Sequence, residues 1–170
     1  SSAGGHLVSM LGSSGGVVEL EGKLGNHLGQ SSRVSAVVNY FGPSALLKMD
    51  DFPSKMIHNA PNSPESQLIG QPIQKSKTKA LQASPIHHVS PDDAPHIHFH
   101  GTEDPLVPFN QSEIYHKALK EAEVKSVLIT SKGGGHNMPR TFTLRFVLPF
   151  LDHALHEKGK PISDQTIVLD

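Results

Sequence analysis

Hydrophobic residues follow two kinds of pattern that alternate along the chain. Three short runs rich in β-branched and aromatic residues, at residues 34–40, 95–100 and 124–130, predict β-strands. Each run is followed within a few residues by glycine or proline, which terminate regular structure. The pattern therefore predicts a sheet whose strands are separated by long connections.

Between these runs, apolar residues recur at helical spacing or follow a capping signal. The clearest case is residues 141–157, where apolar side chains fall on one face of an amphipathic helix. The other predicted helices are residues 3–11, 63–68, 73–83 and 110–123. Helices that alternate with strands are typical of a parallel sheet with crossover helices, so the sequence predicts an α/β fold.

The predicted sheet is small for such a fold. Three strands alone would expose long unpaired edges and a wide apolar face. We therefore expect residues 1–170 to form one N-terminally truncated domain, the C-terminal part of a larger and mostly parallel sheet with flanking helices. Within it, residues 42–91 are expected to form an insertion or cap-like excursion, and residues 159–170 a tail without a strong pattern.

The composition is that of a globular domain, with 36% hydrophobic and 18% charged residues. A formal net charge of −1 gives no reason to expect nucleic acid or a membrane surface as a partner. No apolar run in the sequence is long enough to span a bilayer. The absence of cysteine excludes disulfides and thiolate catalysis but leaves the compartment open.

Three polar residues fall where catalytic groups of open α/β sheets are found. Ser2 precedes small residues at a helix start, which suits a tight nucleophile turn and equally a plain helix cap. Asp104 follows the second predicted strand, with Glu103 as a competing acid, and His136 follows three glycines. A surface turn and a surface loop are the alternatives for Asp104 and His136 taken singly. Together, the order Ser, acid, His favours a serine hydrolase.

The chain has twelve histidines. His96, His98 and His100 alternate along the second predicted strand, so their side chains are expected to share one face. Such spacing can bind zinc or copper, but a strand buried on both faces favours a structural role. His6, in the first turn of the first helix, is also interpreted as structural. The sequence thus predicts no metal site.

Four segments carry a more specific signal. SSAGGHL at the start matches a nucleophile elbow, and RVSAVVNYFGP at 33–43 matches the strand that follows it. Residues 83–113 match an acid-bearing segment, and GGGHN at 133–137 matches a histidine loop. In these segments the chain resembles esterases of the α/β-hydrolase fold over residues 1–158. The most similar group is the acetyl-xylan and feruloyl esterases, near the hormone-sensitive-lipase-like carboxylesterases.

The resemblance implies a serine esterase that cleaves acetyl, feruloyl or short-chain acyl esters and needs no cofactor. Carried over to this sequence, Ser2 is the nucleophile, His136 the general base and Asp104 the residue that orients His136. The backbone N–H of Ala3 is then one oxyanion donor. In the family the other donors come from a His-Gly-Gly loop, which we expect to be missing here together with the earlier strands.

The expected partner is a small-molecule or polysaccharide-linked ester, with Phe41 and Val107 as candidate substrate-binding residues. Two alternative functions stay open. One is a serine peptidase of the prolyl-oligopeptidase type, which shares the Ser-Asp-His order, and the other is a non-catalytic hydrolase-like binding module or inactive fragment. The sequence leaves the oligomeric state open, and a secreted or periplasmic location is one hypothesis.

Overall fold

A computed structural model describes residues 1–168, apart from the side chain of Thr143. Its centre is one fully parallel sheet in which the strands lie in chain order. The strands are β1 (Val37–Tyr40), β2 (His96–Gly101), β3 (Ser126–Lys132) and β4 (Gln165–Val168). Helices cover both faces, so the predicted α/β class with a mostly parallel sheet is confirmed.

The register brings the ends of the strands together at one edge. Tyr40 lies opposite Phe99, and Gly101 lies opposite Ser131. Because the strands are parallel, the segments that leave β1, β2 and β3 all start at this edge. The loops after Tyr40, Gly101 and Lys132 are therefore neighbours, although they are far apart in the sequence.

The part of the chain that the structure describes contains six α-helices. They are α1 (Ala3–Ser13), α2 (Val18–Glu21), α3 (Pro64–Ile69), α4 (Lys77–Gln82), α5 (Asn110–Glu121) and α6 (Leu148–His156). Short 3-10 turns occur at Leu46–Asp51, Ile73–Lys75 and Pro85–His88, and a π-helical turn spans Thr143–Val147. Among residues 1–168, no helix combines the length and the apolar character needed to cross a membrane.

The two faces of the sheet differ in chemistry because strand side chains alternate. On one face, Ile97 and Phe99 pack with the aromatic residues of the segment that leads into α6, including Phe142, Phe146 and Phe150. On the other face lie His96, His98 and His100, each 0% exposed, which we call the histidine face. The apolar half of β2 therefore holds the core, while the histidine half faces the hydroxyl of Tyr115 in α5 and the amide of Asn39 in β1.

Helix α1 approaches the end of β1 very closely. A Cβ atom on Gly5 would lie 2.5 Å from Asn39 Oδ1 and 2.9 Å from the carbonyl oxygen of Tyr40. Both distances are shorter than packed carbon and oxygen atoms tolerate. Glycine at this position thus lets the first turn of α1 lie directly against the edge of the sheet at which β1, β2 and β3 end.

The sequence gives no strong signal for the tail, yet residues 165–168 within it are a strand. They form β4, which pairs in parallel with β3 in the register Ile129 to Gln165. The carboxylate of Asp164 accepts the N–H of Leu128 at 2.9 Å and so ties the tail to the sheet. A β-branched run of only three residues was too short a signal for a strand. The last two residues of the predicted tail, 169 and 170, lie outside the described part of the chain.

Several predicted elements were too long. The first strand begins at Val37 rather than at residue 34. The helix predicted over residues 141–157 is divided into the π-helical turn Thr143–Val147 and α6. Pro149 explains the division, because proline lacks an N–H and its ring clashes with the carbonyl of the residue four positions earlier. The predicted helix at 73–83 is likewise a 3-10 turn followed by α4.

The excursion at residues 42–91 packs around a small apolar cluster of its own. Leu46, Ile69, Ile73 and Ala80 are buried there together. Ser63 caps α3 by accepting the N–H of Ser66 at 3.1 Å, and Pro64 occupies the first helical position, as the sequence predicts. The excursion therefore has ordered elements of its own beside the parallel sheet.

Candidate active site

Ser2 occupies a strained turn at the start of α1. Its backbone has φ 52° and ψ −124°, a left-handed region that non-glycine residues rarely adopt. The Ser2 N–H donates a hydrogen bond of 2.9 Å to the carbonyl oxygen of Tyr40, the last residue of β1. Strain of this kind costs on the order of 1–3 kcal/mol and is concentrated at functional sites. The turn that presents Ser2 is thus fixed to the sheet edge where β1 ends.

The residue after Tyr40 connects this turn to the predicted histidine. Phe41 also has a positive φ, 43°, and its ring lies 4.3 Å from the ring of His136. Ser2 and His136 are therefore both held at the end of β1, one through a backbone hydrogen bond and the other through an aromatic contact. Among the described residues, no hydrogen bond directly joins Ser2 to His136 in this structure.

Asp104 is buried in the loop after β2 and is surrounded by donors. Its Oδ1 accepts the backbone N–H groups of Leu106 at 2.8 Å and of Val107 at 2.9 Å, an Asx-type turn. Its Oδ2 accepts Nδ1–H of His136 at 2.6 Å and lies 3.2 Å from Nε2 of His100. Burial raises the pKa of Asp104, but these hydrogen bonds outweigh it and hold the pKa at about 2. The carboxylate is thus ionised at neutral pH.

The competing acid has a different environment. Glu103 is exposed, whereas Asp104 is buried. The backbone N–H of Glu103 donates to the carbonyl oxygen of Gly134 at 2.9 Å, which joins the acid loop to the histidine loop. Of the two neighbouring acids, Asp104 is therefore the one whose carboxylate contacts His136.

Glycines allow the acid loop and the histidine loop to meet. A Cβ atom on Gly101 would collide with the backbone of Gly134. The Gly133 N–H donates to the hydroxyl of Thr102 at 2.8 Å, a second link between the loops. His136 is thereby held with Nδ1–H on Asp104, a tautomer in which Nε2 carries a free lone pair.

A polar cleft of about 560 Å³ opens beside His136. It is lined by Lys55, Glu103, Pro105, Gly133, Gly135, His136 and Asn137. The excursion contributes Lys55, whose N–H donates to the carbonyl oxygen of Pro105 at 2.8 Å. Sequence reasoning missed Lys55 and Asn137, and only their proximity in space distinguishes them from ordinary surface residues.

The two predicted substrate-binding residues lie under the site rather than in this cleft. Phe41 is buried against His136, and Val107 is buried with its N–H on Asp104 and its carbonyl oxygen 2.9 Å from Nε2 of His100. A larger apolar groove of about 720 Å³ lies between α1, α2, α3 and α4. It contains neither Asp104 nor His136, so size alone does not identify the site.

The first N–H group of α1, that of Ala3, is available at the Ser2 turn, whereas the Gly4 N–H donates to the carbonyl oxygen of Ser1 at 2.8 Å. Among the described residues, none accepts a hydrogen bond from the Ala3 N–H. An unpaired N–H at a helix N-terminus favours negative charge nearby. Within residues 1–168, no group of three or more His, Asp or Glu side chains is arranged to hold a metal ion. The geometry thus offers an N–H donor for an anion at the Ser2 turn.

The remaining predicted histidines have local partners. His6 is buried, and its Nε2 lies 2.7 Å from the carbonyl oxygen of Ala83. His100, which the sequence suggested only as one of three residues of a possible metal face, contacts Asp104. The signal for this contact is its position at the end of β2, four residues before the acid.

Comparison with known proteins places this geometry in context. Residues 1–119 match the family model BD-FAE. A curated relative, the probable carboxylic ester hydrolase LipM of Mycobacterium tuberculosis, is 25% identical over 137 residues, which are 81% of this chain and 27% of that protein.

Solved structures resemble the chain more extensively. A truncated carbohydrate esterase from gut microbiota is 31% identical with a TM-score of 0.73, over 86% of this chain and 55% of that one. A propionate-bound esterase, Est2 of Thermogutta terrifontis, is 27% identical with a TM-score of 0.67, over 93% of this chain and 56% of that one. The chain thus spans about half the length of these structures and about a quarter of the curated relative.

Proposed function

We propose, from the premise that this chain belongs to the BD-FAE family, that it carries the catalytic residues of a carboxylic ester hydrolase. The family match and the esterase neighbours confirm the resemblance to α/β-hydrolase esterases. Since the chain spans only part of these relatives, the activity itself is the proposal. The observation that carries it is the 2.6 Å hydrogen bond from His136 to the ionised Asp104, at the edge where the strained Ser2 turn is fixed.

The proposed reaction is acyl transfer in two steps. In the first, the Ser2 hydroxyl attacks the ester carbonyl carbon while Nε2 of His136 takes its proton. His136 then gives this proton to the alcohol as the ester bond breaks and an acyl-enzyme forms. In the second step, His136 removes a proton from water, which attacks the acyl carbon, and then returns this proton to the Ser2 oxygen as the acyl–oxygen bond breaks and the acid is released. Asp104 keeps His136 in the required tautomer throughout.

The negative oxygen of the tetrahedral intermediate needs hydrogen-bond donors. We assign the Ala3 N–H to this role, since it is unpaired among the described residues and lies at the helix N-terminus beside Ser2. One such donor is worth roughly 3 kcal/mol of transition-state stabilisation. The positive φ of Ser2 supports the assignment, because a sharp turn directs the hydroxyl and the next N–H toward one point.

The proposed substrates are acetyl, feruloyl or other short-chain acyl esters of a hydroxyl-rich alcohol. The cleft beside His136 supports this, because Lys55, Glu103 and Asn137 can hydrogen-bond to hydroxyl groups. The similarity to carbohydrate esterases, including a bifunctional GH43-CE protein of Bacteroides eggerthii at 32% identity, supports a sugar as the alcohol. The propionate-bound relative supports a short acyl group.

The proposal can be tested with a fluorophosphonate probe, which reacts with an activated serine hydroxyl. The longest native polypeptide that includes residues 1–170 would be treated with the probe, and the modified peptide mapped by mass spectrometry. We expect labelling at Ser2, its loss in Ser2→Ala, and strong suppression in His136→Ala. The neighbouring Ser1→Ala is the matched control and should be labelled like the wild type, because its hydroxyl is one residue away from the turn.

A folded wild-type protein that is not labelled at Ser2 would contradict the esterase proposal and favour a non-catalytic module. If Ser2 is labelled, hydrolysis of acetylated and feruloylated saccharides should be compared with hydrolysis of a prolyl peptide amide. We expect turnover of the esters. Turnover of the peptide amide alone would replace the esterase by the peptidase alternative.

A further inference from the structure

His100 is the histidine of β2 that contacts the proposed acid, and it is fully buried. Its Nδ1 lies 2.7 Å from the hydroxyl of Ser112, and its Nε2 lies 2.9 Å from the carbonyl oxygen of Val107 and 3.2 Å from Oδ2 of Asp104. A carbonyl oxygen and a carboxylate oxygen can only accept, so Nε2 carries a hydrogen, which it donates to the carbonyl oxygen of Val107 while it lies in ion-pair distance of Oδ2 of Asp104. Nδ1 is within hydrogen-bond distance of the hydroxyl of Ser112, so both ring nitrogens of His100 have partners.

Oδ2 of Asp104 thus serves two imidazoles at once. His136 donates to it from the cleft side at 2.6 Å, and Nε2 of His100 lies 3.2 Å from it on the buried side. The other oxygen, Oδ1, is held by two backbone N–H groups. A carboxylate shares its negative charge among the groups that contact it. The Nε2–H of His100 therefore reduces the strength with which Oδ2 attracts the Nδ1–H of His136.

We propose that His100 is a positioning residue, which holds the Asp104 carboxylate toward His136 and limits the basicity that Asp104 confers on it. This inference rests on the proposed function. It explains why a histidine, rather than an apolar residue, ends the buried face of β2 directly before the acid loop. His100 does not touch the cleft, because the rings of Phe41 and Phe109 pack against it at centroid distances of 6.3 Å and 5.7 Å.

Few titratable groups surround His100, so a change in acid–base behaviour can be assigned to it. Within the described residues, the titratable side chains near its ring are Asp104, His136 beyond it, and His98 on the same strand face. The pKa of His98 is lowered well below its usual value, first by burial and then by the neighbouring histidines. His98 is therefore neutral in the pH range where a catalytic histidine titrates.

The test is the pH dependence of the rate constant for fluorophosphonate labelling at Ser2 in the longest native polypeptide. In His100→Leu, we expect the midpoint of the acid limb to move up by about half a pH unit, because Oδ2 is left to His136 alone. The plateau rate should fall about tenfold, because the carboxylate loses one of its anchors. In His100→Gln, the side-chain amide retains a donor, and the midpoint should return to within about 0.2 units of the wild type.

Two further variants make the result decisive. His98→Leu removes a histidine from the same face without a contact to Asp104 and should leave the midpoint unchanged. Ser112→Ala removes the hydroxyl that hydrogen-bonds Nδ1 of His100 and should shift the midpoint in the same direction as His100→Leu, by a smaller amount. This variant supplies the test if His100→Leu does not fold. If the wild type is labelled at Ser2 but the folded His100 and Ser112 variants show no shift of the midpoint, the role of His100 is overturned and the proposed function stands. Absence of labelling in the wild type would remove the proposed function and this inference together.

Discussion

The histidine face has an inner end, at His96 where β2 starts, and an outer end, at His100 near the end of β2. The two histidines have opposite electrostatic surroundings. His96 and His100 lie on one strand, point to one side and are equally buried. At the inner end, Nδ1 of His96 bonds the carbonyl oxygen of Ala94 at 2.7 Å, and Nε2 lies 3.1 Å from the hydroxyl of Tyr115. At the outer end, His100 contacts the ionised Asp104. Among the described residues, the hydrogen-bond partners of His96 are neutral, whereas His100 contacts a buried carboxylate.

The difference follows from position in a parallel sheet. At the start of β2, the partners of His96 are the carbonyl oxygen of Ala94 and the hydroxyl of Tyr115 from α5, and none of its partners among the described residues is charged. Burial therefore lowers the pKa of His96 to about 4. The end of β2 lies at the edge where the loops return, and there an acid can reach the face. Whether a buried histidine of β2 has neutral partners or contacts a charge therefore depends on which groups the parallel topology places beside it.

The largest expected effect comes from removing the charge at the outer end. Asp104→Asn keeps the shape of the side chain but can no longer fix the tautomer of His136. We expect kcat/KM for an acetyl ester to fall by on the order of 10⁴-fold, the size of this effect in serine proteases. Glu19→Gln is the control, since it removes an exposed carboxylate of α2 outside the cleft, and should change kcat/KM by less than about threefold. Equal losses in both variants would contradict the assignment of Asp104.

The second effect concerns pH and the inner end. Because the pKa of His96 is about 4 in the folded protein and about 6.5 in the unfolded chain, the unfolded chain binds the proton first. The free energy of unfolding should therefore be highest above pH 6.5 and fall by up to about 3 kcal/mol as the pH approaches 4. His98, whose pKa is also lowered by burial, adds to the loss in the same range. Urea unfolding at several pH values measures it.

In this experiment, His96→Gln should reduce the pH dependence of the free energy of unfolding between pH 6.5 and 4. The control His87→Gln, at an exposed histidine, should leave that pH dependence unchanged. The outer end should respond in a separate range, because the stabilisation from Asp104 is present above its unfolded pKa of about 3.8 and is lost only as the pH falls through about 2. A wild-type stability that does not change between pH 6.5 and 4 would mean that His96 and His98 are not neutral partners.

The smallest effect comes from the hydroxyl that serves His96. Tyr115→Phe removes a hydroxyl whose oxygen lies 3.1 Å from Nε2 of His96. The same hydroxyl donates to the carbonyl oxygen of Ser9 at 3.2 Å. We expect a loss of about 1–2 kcal/mol in the free energy of unfolding, measured by urea denaturation at pH 7.5. Labelling at Ser2 should keep its wild-type rate. A slower labelling rate at unchanged stability would show that the inner end also affects the site.

Much of the fold could be predicted because it depends on short patterns. The β-branched runs predicted β1, β2 and β3, and the Ser63-Pro64 signal predicted α3 to within one residue at its end. The misses have local causes. Pro149 divided the last helix, and β4 carried too few residues to distinguish it from a loop. The order Ser2, Asp104, His136 likewise came from the sequence, because each residue lies next to a recognisable strand or helix boundary.

The sequence by itself therefore determined β1, β2 and β3, most of the helices, the α/β class and the three candidate catalytic residues. Periodicity, breakers and caps act over a few residues, so they can be read without a structure. Only the tertiary structure decided that Asp104 rather than Glu103 contacts His136, that Lys55 lines the cleft, and that His100 shares a carboxylate oxygen with His136. These contacts join residues on different loops, and their distances depend on the register and packing of the whole sheet.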